Sequence, residues 1–228
     1  RLSGDSYIDP LGVLVIWSEF GWQIFKNRVN SISNDVRNYT LNLLHHTLIR
    51  DLISDDSLVL KPSLIRVVGE KDSLTFRQAC LLYLENVFTF AMVSAKPEHG
   101  VDASGILGSS KARSFLDQDQ DPAIIFHHGK DGCLLVRQLS LGVSGRYKTP
   151  FMEIGFFDAG YHYHAPTAAP LWQQATTLFN SHKALRAVYR MAREHLVALI
   201  STHSGNRPPR RHLKELPKSW IAAIRDAF

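Results

Sequence analysis

The chain has 228 residues, of which 45% are hydrophobic and 21% are charged, so it can bury a substantial core and its composition excludes a disordered protein. Its longest apolar runs are interrupted by acidic and amide residues, so none has the length of a membrane span and we expect no membrane partner. Two cysteines, Cys80 and Cys133, lie far apart in apolar surroundings, which favours buried thiols over a disulfide. These features predict a soluble protein of a reducing compartment, the cytoplasm.

The positive charge of the chain is concentrated near its carboxyl end. The formal net charge is +5 and the sequence pI is near 9.3. After residue 180 there are ten lysines and arginines and three acidic residues, whereas the first 180 residues carry a net charge of −2. A local excess of cations points to a polyanionic partner more strongly than the total charge does.

Three long helices are predicted in the first hundred residues. Asp9 and Pro10 have the residue types of a helix start, and apolar residues follow at helical spacing as far as position 24. A second helix starts at Ser33 or Asn34 and runs to about position 52, with so few polar positions that we expect it to be central. A third starts near position 72 and ends close to 95, because Pro97 follows.

Glycine and proline divide the middle of the chain into short segments. The spacing predicts one strand at Ala123–Phe126, with Cys133–Val136 as the partner of a small hairpin in one alternative. Short helices are predicted at 107–117, 132–141 and 150–157. Toward the carboxyl end, helices are predicted at 170–181, 183–202 and 219–227.

These segments together predict a mainly α protein. We expect an amino-terminal helical bundle portion at 1–98, a glycine-rich middle with short helices at 99–165 and basic helices at 166–228. The three parts should form one compact globular domain, with room for one small β-hairpin near 123–136.

The last long helix is predicted to have opposed apolar and cationic faces. At 100° per residue, its leucines, valine and tyrosine fall on one side, and its cations fall on the other. The cations of this face are Lys183, Arg186, Arg190 and Arg193. A second basic run follows in an exposed linker, and its cations are Arg207, Arg210, Arg211 and Lys214. The two runs together indicate contact with a phosphate backbone; the alternative is a solvated helix face.

Two segments share the pattern Gly-x-x-Gly followed by cations. The first places Lys111 and Arg113 after Gly105 and Gly108, and its serines 109 and 110 could cap a helix. It does not satisfy the P-loop pattern, which requires glycine at position 110. Each segment can contact phosphate through backbone N–H groups, or can be an ordinary turn or helix start.

The second segment has Gly142 and Gly145, followed by Arg146 and Lys148. Its serine between two glycines could expose N–H groups to an anion, and its two cations could add charge. We count Arg146 and Lys148, with Lys111 and Arg113, as a second group of candidate phosphate contacts.

Catalytic and metal-binding patterns are scarce. Asp158, His162 and His164 could hold a divalent ion, although an aromatic loop packed on the surface explains the same residues and no further ligands complete a known spacing. The aromatic side chains of 156–163 could form a protein interface, with burial beneath a helix as the favoured alternative. No nucleophile elbow or activated cysteine is present, so an enzyme is the minority interpretation and no cofactor is expected.

The segments 105–113 and 141–152 resemble parts of helical accessory proteins of bacterial DNA-modification and phage-defence systems. This resemblance implies a non-catalytic, DNA-associated subunit that acts beside a separate ATPase or nuclease, and it assigns no active-site residue.

The sequence therefore favours a helical module that contacts nucleic-acid phosphates, with DNA preferred over RNA as the partner. A scaffold that binds other protein subunits is the alternative from a different class. A metal-dependent hydrolase at Asp158, His162 and His164 is the third hypothesis.

Overall fold

The computed structural model describes residues 35–95 and 100–228, which form ten α-helices and one pair of short strands. The predicted helix at 9–24, the predicted start at Ser33 or Asn34 and the Lys96-Pro97 stop lie outside the described residues. The α-helices are α1 Arg37–Ile53, α2 Pro62–Val68, α3 Leu74–Val93, α4 Ser109–Gln118, α5 Gln138–Leu141, α6 Val143–Arg146, α7 Lys148–Ile154, α8 Ala169–Ser181, α9 Lys183–Thr202 and α10 Lys218–Ala227. The strands are β1 Ala123–Ile125 and β2 Arg210–His212.

Helix α3 is the centre of the fold. Its start is set by Ser73, whose side-chain oxygen accepts a hydrogen bond from the backbone N–H of Phe76 at 3.2 Å. From Ala79 to Met92 every residue is buried, and α1, α2, α4 and α10 all pack against this helix. A helix that is buried all round needs neighbours on every side, which explains why its hydrophobic pattern has no polar face.

The described residues share one hydrophobic core, and the mainly α prediction is confirmed. Helices α8 and α9 match their predicted limits to within a residue. The predicted helix at 132–141 is reduced to α5, because a single 3₁₀ turn at Lys130–Gly132 and an irregular segment occupy its first part.

The strand at 123–125 was predicted, but its partner is not Cys133–Val136. Strand β1 pairs antiparallel with β2, and Ile124 lies opposite Arg211. The proposed local hairpin is therefore wrong, because the segment that completes the sheet comes from the basic run after α9. Phe126 extends this pairing, because its backbone N–H donates to the carbonyl of Pro209 at 2.8 Å.

Helix α9 has the two faces that its sequence predicted. Val188, Ala192, Leu196, Leu199 and Ile200 are buried, and the helix packs against α1, α8 and α10. Lys183, Arg186 and Arg190 are exposed on the other side. Within residues 35–95 and 100–228, no helix is long and apolar enough to cross a bilayer.

Candidate nucleic-acid interface

An open cleft of about 330 Å³ lies where α9 ends and the chain turns into β2. We call it the arginine cleft, because Arg207, Arg210 and Arg211 all line it. Thr202 and His203 form its other polar wall. Three guanidinium groups around one concave surface supply many fork-shaped N–H donors, which match the geometry of phosphate oxygens.

The basic segment that forms this cleft is held in place rather than free. Pro209 is buried and accepts the hydrogen bond from Phe126, and β2 pairs along its whole length with β1. Arg66 on α2 also contacts this segment, because its Nη2 donates to Oδ1 of Asn206 at 3.0 Å. Arg66 could not be predicted from the sequence, because only the fold brings α2 beside the segment that follows α9.

The carboxylates nearest to β2 are bound to backbone groups. Glu215 accepts the N–H of His212 at 2.8 Å, and Asp121 accepts the N–H of Lys214 at 2.7 Å. In the described part of the chain, no carboxylate lies within 4.0 Å of the charged groups of Arg207, Arg210, Arg211 or Lys214. The cleft therefore presents cationic charge that no ion pair within those residues neutralises.

A cluster of aromatic rings lies in the core around His195, near enough to Arg211 for the charge of that arginine to act on the imidazole. The side chains of Tyr83 and His195 are joined by a 2.8 Å hydrogen bond, and the ring of Trp220 lies 4.9 Å from that of His195. Burial, followed by the positive charge of Arg211, lowers the pKa of His195 to about 4. The imidazole is therefore neutral at physiological pH, and its ring packs as an aromatic side chain beneath the strand.

The cations of α9 divide into free and paired groups. Lys183 and Arg186 have no carboxylate within 4.0 Å in the described residues, and Arg190 has only an exposed Glu194 at 3.9 Å, an arrangement that contributes little. Arg193 differs, because its Nη2 binds directly to Oδ2 of Asp55. The prediction that all four form one free row is thus corrected at Arg193.

The second Gly-x-x-Gly segment already binds an acidic side chain of the protein, the carboxyl group of Glu85. The carboxylate of Glu85, on α3, accepts the backbone N–H of Ser144 and the side-chain amide of Gln138. Burial raises the pKa of Glu85, and the hydrogen bonds from Ser144 and Gln138 oppose that shift. A Cβ atom on Gly142 would lie 2.5 Å from Oε2 of Glu85, so glycine is required for this approach.

The cations after that segment are also engaged inside the protein. The Nε of Arg146 donates to the carbonyl of Leu141 at 2.9 Å, and Nζ of Lys148 donates to the carbonyl of Ala159. Lys148 in addition lies 4.2 Å from the ring centre of Tyr161. The predicted phosphate contact at 142–148 therefore gives way to an internal turn, which was the alternative interpretation.

The first Gly-x-x-Gly segment begins α4. Gly108 is the residue before the helix and has φ of 84°, a conformation that favours glycine. The expected serine cap is absent, because Ser109 is already helical and no side chain caps the first turn. Lys111 lies 5.1 Å from the ring centre of Phe115, and Arg113 is exposed, so both cations belong to α4 and not to the arginine cleft.

Of the three candidate metal ligands, the structure brings together Asp158 and His162 but not His164. His162 binds Asp158 through a 2.8 Å contact of its Nδ1, whereas His164 lies 3.4 Å from the side chain of Ser54. No group of three or more His, Cys, Asp or Glu side chains able to hold a metal occurs within the described ranges. The hydrolase hypothesis has no support from this geometry.

The aromatic loop is packed inward, as the burial alternative predicted. Phe157, Tyr161 and Tyr163 are buried around the imidazole of His46, which binds the hydroxyl of Tyr163 at 2.9 Å. Phe156 is half-buried against Trp172. These rings build the core between α1 and α8 and do not form an exposed contact surface.

No family model, no curated protein and no solved structure matches this chain. The resemblance of 105–113 and 141–152 to DNA-defence accessory proteins therefore stays a prediction.

Proposed function

We propose that this protein binds nucleic acid through its phosphates, with the arginine cleft as the principal contact. The observation that carries the proposal is the convergence of Arg207, Arg210 and Arg211 on one cleft, with no carboxylate of the described residues within 4.0 Å of their guanidinium groups. Arginine forks recognise phosphate oxygens through two parallel hydrogen bonds. Nη1 of Arg211 already donates to the carbonyl of Arg210 at 3.0 Å, so Arg207 and Arg210 are the principal candidates for such contacts.

The exposed cations of α9 extend this surface away from the cleft. Lys183, Arg186 and Arg190 lie in the first half of α9, so the row from Lys183 to Arg190 spans about 10 Å. That length equals about three phosphate steps along one strand of B-DNA. Contacts of this kind neutralise phosphates and carry no base information, so we expect binding with little sequence preference.

Salt dependence is the direct test. We expect the logarithm of the association constant for duplex DNA to fall linearly with the logarithm of salt concentration, with a slope of about −0.9 for each phosphate neutralised. The double variant Arg207→Ala/Arg210→Ala should lower the magnitude of that slope by about 2 and weaken binding to all sequences alike.

The matched control removes the same charge elsewhere. Lys61 and Lys130 are exposed and lie outside the cleft, so Lys61→Ala/Lys130→Ala should leave the slope and the affinity nearly unchanged. Equal weakening in both double variants would show that only net charge attracts the DNA and would overturn the assignment to the cleft.

The biological setting follows from the resemblance alone. On that basis we propose a non-catalytic subunit of a bacterial DNA-defence system that works beside a separate ATPase or nuclease. Affinity purification of the full-length protein from its native cells, followed by mass spectrometry, should recover such an enzyme; recovery of the protein alone at endogenous expression would contradict the accessory role.

A further inference from the structure

A second and larger cleft, of about 590 Å³, lies between the end of α1 and the first two turns of α8. We call it the α1–α8 cleft. Its volume is within the range typical of small-molecule sites. Its lining residues include Arg50, Asp51, Ser54, His164, Trp172 and Gln173.

Arg50 forms a flat platform on the wall of this cleft. Its guanidinium carbon lies 5.1 Å from the ring centre of Trp172, and its Nε and Nη2 donate to Oδ1 of Asp51 at 2.8 and 2.6 Å. Trp172 is itself fixed, because its indole N–H donates to the carbonyl of Tyr163 at 3.1 Å. The side chain of Arg50 keeps 18% of its surface exposed. A guanidinium plane held in this way can stack on a second planar group.

The charge on Arg50 is already balanced. Asp51 pairs with it, and the second oxygen of Asp51 accepts the hydroxyl of Tyr189 on α9. The platform therefore has little net charge to offer to a phosphate, and it favours a neutral planar ligand. Exposed polar groups of His164 and Gln173 stand at the same cleft and can hydrogen-bond to the edge of such a ligand.

The α1–α8 cleft lies beside the cationic face of α9. Asp51 contacts Tyr189, and Asp55, just after the cleft residue Ser54, contacts Arg193. From Tyr189 to the end of α9 at Thr202 the helix rises about 20 Å, which separates this cleft from the arginine cleft. A strand whose phosphates follow α9 would thus pass close to a site that suits a planar heterocycle.

We propose that the α1–α8 cleft is a nucleobase subsite, in which a base of a single-stranded nucleic acid stacks on the guanidinium of Arg50. The inference rests on the proposed function for its biological context, although the cleft chemistry is independent of the arginine cleft. A duplex keeps its bases stacked inside, so this subsite should act on single strands only.

The test compares three probes at one ionic strength: a twelve-nucleotide DNA strand, the same strand with abasic sites replacing its bases, and the corresponding duplex. We expect the intact strand to bind about tenfold more tightly than the abasic strand, the usual contribution of one stacked base. Equal affinities for the intact and abasic strands would overturn the subsite.

Two variants locate the effect. Arg50→Lys keeps the charge and removes the planar group, and Gln173→Trp fills the cleft from an exposed position on α8. Both should lower the affinity for the intact strand to the abasic level and leave the duplex affinity unchanged. The control Arg137→Lys, at an exposed position just before α5, should change none of the three affinities. Unchanged single-strand binding in a folded Gln173→Trp variant would refute the location.

Calorimetry with free ligands separates this inference from the proposed function. Nucleoside 5′-monophosphates should bind the wild type, and ribose 5-phosphate should not. If no DNA probe binds while the monophosphates do and Gln173→Trp abolishes that binding, the proposed function fails and the subsite stands. Suppose that DNA binds with a steep salt dependence, but removal of the bases and the two cleft variants leave the affinity unchanged. The subsite is then wrong and the proposed function stands.

Discussion

The segment 142–148 and the arginine cleft both combine glycine with cations, but only the segment contacts a buried carboxyl group of the protein itself. The segment has Arg146 and Lys148 beside two glycines, and Glu85 reaches it from α3 to accept the N–H of Ser144. The cleft has three arginines, and the carboxylates near it are bound to backbone N–H groups. A segment rich in glycine and cations is thus part of the core when a buried carboxyl group of the same protein contacts it. Without such a contact, the segment is accessible to an external ligand.

The largest effect on stability is expected from removal of the Glu85 carboxyl group. Glu85→Ala leaves the N–H of Ser144 and the side-chain amide of Gln138 without this acceptor in a buried site, so we expect the free energy of unfolding to fall by about 4 kcal/mol. Urea unfolding followed by circular dichroism measures this. Glu153 is exposed, and Glu153→Ala should change stability by less than about 0.5 kcal/mol. A small decrease in the free energy of unfolding of Glu85→Ala would contradict this role of Glu85.

A methyl group on the loop should have the next largest effect. Gly142→Ala places a Cβ atom 2.5 Å from Oε2 of Glu85 and 2.7 Å from the carbonyl of Gln138, so we expect a loss of about 2 kcal/mol. At the edge of the arginine cleft, Gly205→Ala meets no atom closer than 3.7 Å and should be neutral. Thermal melts of both variants test the contrast, which similar melting temperatures would contradict.

Acid should destabilise the cluster of rings around His195. The pKa of His195 is about 4 in the folded protein and near 6.5 when unfolded, so the unfolded chain binds more protons between those values. The stability due to the neutral imidazole is full above pH 6.5 and declines as the pH falls toward 4. Allowing for partial exposure, we expect the wild type to lose about 1.5 kcal/mol more than His195→Gln over this range. Urea unfolding at both pH values measures the difference, and parallel losses would contradict the neutral state of His195.

The smallest effect on stability is expected at the cleft arginines. Arg207 and Arg210 are exposed, and their charged groups have no carboxylate within 4.0 Å in the described residues. Arg207→Ala/Arg210→Ala should therefore change the free energy of unfolding by less than about 0.5 kcal/mol while it weakens DNA binding. A loss above 1 kcal/mol in urea unfolding would mean that these arginines support the fold.

Local patterns in the sequence predicted the long helices well. The limits of α9 and the burial of Val188, Ala192 and Leu196 follow from the 3.6-residue repeat, because one face of this helix packs and the other does not. The strand at 123–125 was predictable from its apolar residues. Its partner was not, because Arg210–His212 is polar and has no strand signal of its own.

The candidate site was predictable in its residue types but not in its geometry. The basic run after α9 is visible in the sequence, whereas the contact of Arg193 with Asp55 depends on how α1 and α9 pack. The pairing of the 142–145 loop with Glu85 likewise joins residues that are distant along the chain. Carboxylate partners of this kind are determined by tertiary structure. They cannot be predicted from local patterns in a single sequence.

The pairing of β1 with β2 also affects the order in which the protein can fold. Ile125 and Arg210 are 85 positions apart along the chain, so we expect their pairing to form after contacts between residues close in sequence. The helices, whose contacts are mostly local, can form earlier. The arginine cleft therefore depends on a long-range pairing, and a folding intermediate that has local helical structure but lacks this pairing would have no assembled site for a polyanion.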